Sequence, residues 1–207
     1  MPDSARSELV RRRLDEHLTV TGALRDDEHV RFTVQTAAIV ARALQEGNKV
    51  LLCGNGGSAA DASHLAAELV GRFLIERRPL PAISLSDNSP ALTAIANDIG
   101  FSEVFARQVR ALGCAGDVLF VLSTSGASEN VLAAARVAHE LGLTTIGLTG
   151  RAGIQLAESV DYCLRVPAED TTRIQEAHML VGHTLFELVE QDLVERDLIE
   201  RDLVERP

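Results

Sequence analysis

The sequence predicts a doubly wound α/β domain built on a five-stranded parallel sheet. Five short apolar runs carry this prediction, because strands that a parallel sheet buries on both faces are apolar at consecutive positions. Most of the runs precede a helix-like segment, and two of them end in glycine- or hydroxyl-rich loops. The runs cover residues 50–53, 82–85, 118–122, 145–148 and 162–166.

The segment ahead of the first run predicts two additional helices. Residues 4–24 are rich in Leu, Arg and Glu, and residues 30–45 form a more apolar helical pattern that ends at Gly47-Asn48. Two helices before the first strand do not belong to a repeating β-α unit. We therefore expect them to lie against the sheet or to pack on another subunit.

Composition narrows the class of protein. The chain has 207 residues and a formal net charge of −10, which argues against nucleic acid as a partner. Cys53, Cys114 and Cys163 are widely spaced and odd in number, which favours buried thiols in a reducing compartment over disulfides or a cysteine metal site. No apolar run approaches the roughly 18 residues of a transmembrane helix, and the N-terminal segment has no apolar stretch of the kind that a signal peptide contains. We expect a cytoplasmic protein without a membrane partner.

The loop after the first strand has the character of a phosphate site. Gly54, Gly56 and Gly57 let a ligand approach the main chain, and the free N–H groups at the start of the following helix favour an anion. The loop is neither a Walker loop nor a Gly-x-Gly-x-x-Gly dinucleotide loop. A tight strand-to-helix turn would explain the glycines equally well. The loop alone therefore does not establish a phosphate site.

A second loop follows the third strand, where Ser123-Thr-Ser-Gly-Ala-Ser-Glu-Asn130 opens an alanine-rich helix over residues 126–141. In the common open-sheet order 2-1-3-4-5, the first and third strands are neighbours, and ligands bind at their carboxyl ends. The two loops should therefore converge. Helix capping needs one hydroxyl, whereas Ser123, Ser125 and Ser128 supply three.

Two helices carry candidate acid–base groups. His64 and Glu68 stand at i and i+4 after the first loop, where they present an imidazole and a carboxylate to one point or form a surface ion pair. The last helix begins near residue 171. Gln175 and His183 share one of its faces, since i and i+8 lie about 80° apart. Helical geometry alone does not choose between His178 and His183.

Two further segments have plainer interpretations. Ser89-Pro90 predicts a helix start with serine as the cap, and Asn97-Asp98 ends this short helix before Gly100. From Leu188 onward a pattern of five residues repeats to the end of the chain. Its leucines advance by about 140° each time and form no single stripe, which predicts a solvated, fraying helix.

These residues together resemble the sugar isomerase (SIS) domain family and, within it, the phosphoheptose isomerases. The resemblance reaches from the N-terminal helices to about Gln191. It implies one SIS domain over residues 1–207, with N-terminal helices (1–46), an α/β core (48–168) and a C-terminal helix (171–205). Its most specific motifs are Gly54-Asn-Gly-Gly-Ser58, His64-x-x-x-Glu68, Asn97-Asp98, Ser123-Thr-Ser-Gly126 with Ser128, and Arg173-Ile-Gln-Glu-x-His178 followed by His183.

The resemblance implies an aldose–ketose isomerase that converts sedoheptulose 7-phosphate to D-glycero-D-manno-heptose 7-phosphate, the first step towards nucleotide-activated heptose. It implies Glu68 as base, His183 as acid, a zinc ion on His64, Glu68, Gln175 and His183, and His178 as a packing residue. It also implies a homotetramer with active sites at subunit interfaces, which allows Gln175 and His183 to meet His64 across chains. The implied substrate-binding residues are Asn55, Gly56, Gly57, Ser58, Glu68, Asn97, Asp98, Ser123, Thr124, Ser125, Ser128 and Gln175.

Two other kinds of SIS protein remain as alternatives. One is a non-catalytic protein that binds the replication initiator DnaA, which residues 94–98 and 108–112 also resemble. That group lacks the equivalents of Glu68 and His183, so their presence here favours the isomerase. The other is a sugar-phosphate sensor that controls transcription, for which the sequence shows no helix-turn-helix segment.

Overall fold

The structure is a computed structural model that describes the backbone of residues 1–204 and the side chains of residues 1–195. Its strands are β1 (Val50–Gly54), β2 (Ala82–Ser84), β3 (Val118–Ser123), β4 (Thr144–Gly150) and β5 (Tyr162–Val166). They form one parallel sheet in the order β2-β1-β3-β4-β5. This confirms the predicted fold class and strand order.

The helices flank the sheet and agree with most of the predicted segments. They are α1 (Asp3–Ala23), α2 (Asp27–Gln45), α3 (Gly57–Val70), α4 (Ser89–Asp98), α5 (Ala106–Leu112), α6 (Glu129–Leu141), α7 (Ile154–Ala157) and α8 (Thr171–Val204), with a 3-10 turn at Phe101–Glu103. One predicted cap and one predicted start are wrong. The cap of α4 is Asn88, whose side chain accepts from the Ala91 N–H, and α6 begins three residues late because Gly126 continues the loop at φ +64°.

Alternating strand residues face two buried layers. Val50 and Leu52 point towards α2, α3 and α8, whereas Leu51 and Cys53 point towards α5 and α6. The prediction of buried thiols is correct for Cys53 and wrong for Cys114, which is exposed in the turn before β3.

The two N-terminal helices differ in their packing. Helix α2 buries Ala37, Val40 and Leu44 in the core layer that also contains α8, as expected for a helix lying against the sheet. Helix α1 has no buried residue and reaches α8 through His17, whose Nδ1 lies 2.7 Å from Glu176 Oε2. Val20 of α1 packs against the core layer, whereas Leu14 and Leu18 stay exposed.

Helix α8 runs through Val204, so the predicted end at residue 205 lies outside the described residues. The side chains of the five-residue repeat from Arg196 onward lie outside them as well. Among the described helices, none is both long and apolar enough to cross a membrane.

Candidate active site

The first loop turns from β1 into α3 and is closed by α8. Gly56 occupies the N-cap of α3 at φ +55°, and Ser58 is buried in the first turn. A Cβ on Gly57 would lie 2.2 Å from Gln175 Nε2, so glycine is needed there for the Gln175 amide to rest on the loop. The unpaired N–H groups of this helix start suit an anion.

The second loop brings its hydroxyls together after β3. Ser123 Oγ lies 3.2 Å from Ser128 Oγ and 3.5 Å from Ser125 Oγ. Ser128 occupies the N-cap position of α6 but its side chain makes no capping bond. The carbonyl of Thr124 accepts a hydrogen bond from the Gly150 N–H at 3.1 Å. This clustering, beyond what capping requires, matches a site for phosphate oxygens.

The two loops meet, as the strand order predicts. Strands β1 and β3 pair up to Gly54 and Leu122. Beyond them, Asn55 and Asn130 exchange two amide hydrogen bonds of 2.9 Å each. The Asn55 side chain thus joins the loops, while its predicted contact with substrate stays a prediction. Asn130 was not foreseen, because an asparagine in the first turn of a helix has no distinctive local signal.

The acid–base groups converge between α3 and α8. His64 Nε2 lies 3.2 Å from Glu68 Oε1 and 2.9 Å from His183 Nε2. The Glu68 side chain is 20% exposed and the His64 side chain 50% exposed, so the cluster is open to a ligand. His183 and His64 belong to the same chain, so their contact needs no second subunit.

The same three side chains fit a metal ion. One ligand atom from each of His64, Glu68 and His183 lies within 4.8 Å of the other two. Ligands of a tetrahedral zinc ion at about 2.0–2.1 Å are about 3.3 Å apart, close to the distances from His64 Nε2 to the other two ligand atoms. Gln175, the fourth ligand implied by the resemblance, instead lies against Gly57, about two turns of α3 before His64.

The structure distinguishes the two histidines that helical geometry left open. His183 faces His64, whereas His178 is fully buried and, within the described residues, neither of its ring nitrogens has a hydrogen-bond partner. Burial lowers the pKa of His178 to about 4, while the nearby backbone of Thr149 acts in the opposite direction. His178 is therefore a neutral core residue.

Asn97 and Asp98 stand apart from this cluster. They occupy the exposed end of α4, where Asn97 Nδ2 donates to Asp98 Oδ1 at 2.7 Å. Over residues 1–195 they have no hydrogen bond to either loop. Their role in substrate binding stays a prediction.

Asp61 and Phe73 extend the site beyond the predicted residues. Asp61 lies one turn before His64, and burial raises its pKa while a charge on His64 would lower it. The Phe73 ring stacks on the His183 imidazole, with centroids 5.5 Å apart and planes inclined by 18°. Phe73 follows α3 in an irregular segment, so periodicity could not place it.

Comparisons with known proteins identify the family of this chain. A family model for the SIS domain matches residues 27–150. The phosphoheptose isomerase of Aquifex aeolicus is 57% identical over 158 residues, covering 76% of this chain and 83% of that protein. The enzyme of the same name from Nitratidesulfovibrio vulgaris is 47% identical over 193 residues, covering 92% of this chain and 90% of that protein.

A solved structure resembles this chain equally broadly. The phosphoheptose isomerase from Neisseria gonorrhoeae superposes with a TM-score of 0.84 at 43% identity, covering 89% of this chain and 98% of that one. Family model, sequence relatives and fold agree over most of the chain. The chain belongs to the SIS domain family, among the phosphoheptose isomerases.

Proposed function

We propose that this protein is an aldose–ketose isomerase that converts sedoheptulose 7-phosphate to D-glycero-D-manno-heptose 7-phosphate through an enediol. The observation that carries the proposal is the convergence of Glu68, His64 and His183 on one point beside two anion-type loops. The relatives named phosphoheptose isomerase support it. The product would be the first intermediate of nucleotide-activated heptose synthesis. The pair Glu68 and His183 disfavours the non-catalytic alternatives.

The spacing of the two parts of the site suits a seven-carbon substrate. His64 follows Gly57 by seven residues on α3, which places its Cα about 10 Å along the helix from the loop. An extended heptose chain with its terminal phosphate has about this span. The phosphate would bind Asn55, Gly56, Gly57, Ser58, Ser123, Thr124, Ser125 and Ser128, with Asn97, Asp98 and Gln175 on the sugar.

The chemistry requires two proton transfers. In our proposal the Glu68 carboxylate takes a proton from C1 of the ketose and returns it to C2, which passes through the enediol. His183 gives a proton to the C2 oxygen and takes one from the C1 hydroxyl, so that the carbonyl moves from C2 to C1. His64, in contact with both side chains, orients them.

We also assign a zinc ion to this site, held by His64, Glu68 and His183. Two imidazoles and a carboxylate are a common zinc ligand set. When bound, the ion would polarise the two oxygens of the substrate that exchange the carbonyl. The Gln175 amide lies against the phosphate loop at Gly57, and we propose it as a fourth ligand or as a contact to the sugar.

The proposal includes a cytoplasmic homotetramer in which residues 1–207 form one domain. The free thiols of Cys53, Cys114 and Cys163 are consistent with a reducing compartment. Leu14 and Leu18 of α1 are 59% and 66% exposed, and a helix with exposed apolar side chains and no buried residue calls for a partner such as a second copy.

Direct assay tests the function. Purified protein is incubated with sedoheptulose 7-phosphate, and NMR is expected to show the aldose product. Glu68→Gln keeps the shape of the side chain and is expected to lower turnover by about 10²–10⁴-fold with the fold intact. A folded, metal-loaded protein that makes no aldoheptose would refute the assignment, and full turnover by Glu68→Gln would remove Glu68 from the mechanism.

Metal analysis tests the zinc separately. Wild-type protein is expected to carry about one zinc ion per chain after purification, and His64→Ala to lose it while remaining folded. Zinc retained in full by His64→Ala would place the ion elsewhere.

A further inference from the structure

The segment that follows α3, residues 71–77, is held by one buried carboxylate of α8. Glu190 is 0% exposed. Its Oε2 accepts hydrogen bonds from the N–H groups of Leu74 at 2.8 Å and Ile75 at 3.1 Å, and its Oε1 accepts from Phe73 at 3.1 Å. We call residues 71–77 the strap. Three consecutive amides on one carboxylate fix the path of the strap over α8.

The strap ends in an arginine that bonds to both catalytic helices. Arg77 Nε donates to Glu190 Oε1 at 2.7 Å on α8. Its other nitrogens donate to the carbonyls of Glu68 at 2.8 Å and Leu69 at 3.0 Å on α3. These carbonyls belong to the last turn of α3 and lack partners within the helix, and a guanidinium satisfies several of them at once.

The strap also touches the proposed acid directly. Phe73, whose N–H is bound by Glu190, stacks its ring on the His183 imidazole. On α8, His183 and Glu190 are seven residues apart and therefore lie on the same face. The carboxylate that holds the strap thus sits two turns beyond the imidazole that the strap supports.

We infer that Glu190 and Arg77 are positioning residues that set the placement of the Glu68 carboxylate against the His183 imidazole, with Phe73 as the support for the ring. This inference rests on the proposed isomerase function. A closed path of short contacts leads from the Glu68 carbonyl through Arg77 and Glu190 to α8, and so to His183. A buried ion pair adds little stability that well-packed apolar residues would not, so its value here is geometric.

The first test separates positioning from folding by a matched pair of variants. Glu190→Gln weakens the hold on the strap. Asp117→Asn alters a comparable buried ion pair, with Lys49, that joins the starts of β1 and β3. Glu190→Gln is expected to lower kcat about 10–100-fold, because small misplacements of reacting groups have effects of this size. The KM of Glu190→Gln should change less than about threefold, since the strap does not touch the phosphate loops. The control Asp117→Asn should change neither kcat nor KM by more than about threefold.

The second test needs no turnover. The chain contains no tryptophan, so Phe73→Trp introduces a single indole at the position that stacks on His183, and indole emission moves to longer wavelength when the ring becomes exposed to water. In that background Glu190→Gln is expected to shift the emission to longer wavelength, whereas Asp117→Asn leaves it unchanged. If the wild type isomerises no heptose, the proposed function fails, and the emission still decides whether the strap is held as inferred.

The inference is overturned if folded Glu190→Gln keeps the kcat of Asp117→Asn, or if its indole emission matches that of the parent Phe73→Trp. Should Glu190→Gln fail to fold, Arg77→Lys replaces it, because lysine keeps the charge but cannot bond to both helices at once. Arg77→Lys is then expected to lower kcat at constant KM. Equal changes in both constants, or none, would refute the positioning role.

Discussion

Two buried carboxylates, Glu190 and Asp117, are held by the same kinds of contact and do different work. Glu190 accepts three backbone N–H groups and pairs with Arg77. Asp117 accepts the N–H groups of Lys49 at 3.0 Å and Cys114 at 2.8 Å and pairs with the Lys49 ammonium at 2.6 Å. Both residues are buried, Glu190 with 0% and Asp117 with 1% of its surface exposed.

The difference lies in what else holds their partners. Lys49 and Asp117 precede β1 and β3, which the sheet already joins, and the Val118 N–H bonds to the Lys49 carbonyl at 3.0 Å. Within residues 1–195 the strap has no such ladder to α8, and Glu190 is the acceptor for the amides of Phe73, Leu74 and Ile75. At Asp117 the contacts therefore reinforce an arrangement that the sheet already fixes, whereas at Glu190 they fix the position of the strap themselves.

The largest expected effects on the free energy of unfolding come from replacing Glu190 or Asp117 by alanine. Glu190→Ala leaves a buried guanidinium and three amides without an acceptor, and should lower the free energy of unfolding by about 3–5 kcal/mol. Asp117→Ala should cost about 2–3 kcal/mol, because the Lys49 side chain is 23% exposed and regains water. Urea unfolding of both variants measures this. A smaller loss for Glu190→Ala than for Asp117→Ala would contradict the comparison.

His178 sharpens the comparison, since neither ring nitrogen of this buried group has a hydrogen-bond partner among the described residues, unlike the carboxylates of Glu190 and Asp117. Its pKa is about 4 in the folded protein and near 6.5 when unfolded, so the unfolded chain binds the extra proton between these values. Above pH 6.5 the ring is neutral in both states and costs no stability. As the pH falls from 6.5 towards 4, the unfolded chain takes up the proton and the free energy of unfolding decreases. The loss amounts to about 3 kcal/mol.

His178→Leu should abolish this part of the pH dependence. Denaturant unfolding of wild type and variant from pH 4 to 7 is compared, because the carboxylates that titrate in both proteins cancel in the difference. The two stability curves are expected to converge or cross towards low pH. Parallel curves would show that His178 does not remain neutral in the fold.

The sequence predicts the local parts of this site well. Gly54 to Ser58 and Ser123 to Ser128 are contiguous loops after apolar strands, and the position of those strands in the sheet follows from a common topology. His64 and Glu68 are four residues apart on one helix, so helical periodicity suffices to pair them. Each of these predictions uses information carried by neighbouring residues.

The rest depends on contacts between distant segments. Glu190 and Arg77 are 113 residues apart, and nothing near either residue identifies the other as its partner. The position of Gln175 against Gly57 likewise depends on how α8 crosses the first loop. The sequence predicts that the acid–base groups lie on two helices beside the loops, but the packing of α3 against α8 decides that His64, Glu68 and His183 meet.

The uncharged pair Asn55 and Asn130 is expected to contribute less to the free energy of unfolding than the two buried ion pairs. Asn55→Ala leaves the Asn130 amide, which is 3% exposed, without its two hydrogen bonds, and should lower the free energy of unfolding by about 1–2 kcal/mol. Asn97→Ala is the matched control, because its hydrogen bond to Asp98 is exposed and should contribute less than about 0.5 kcal/mol. Equal losses in thermal unfolding would show that the Asn55–Asn130 pair does not hold the loops together.

The smallest effect on stability is expected at Gly57, where the absence of a side chain makes room for the Gln175 amide. Gly57→Ala places a methyl group against the end of the flexible Gln175 side chain, which can move, and alanine favours the helix by up to about 1 kcal/mol over glycine. Gly22→Ala in α1 is the control, because nothing lies within 4 Å of its Cβ position. The free energy of unfolding of both variants should lie within about 1 kcal/mol of the wild-type value.

Only Gly57→Ala displaces the Gln175 amide, so it alone should raise KM for the sugar phosphate, by about tenfold if one hydrogen bond is lost. An unchanged KM would mean that the Gln175 amide does not need its place on the loop.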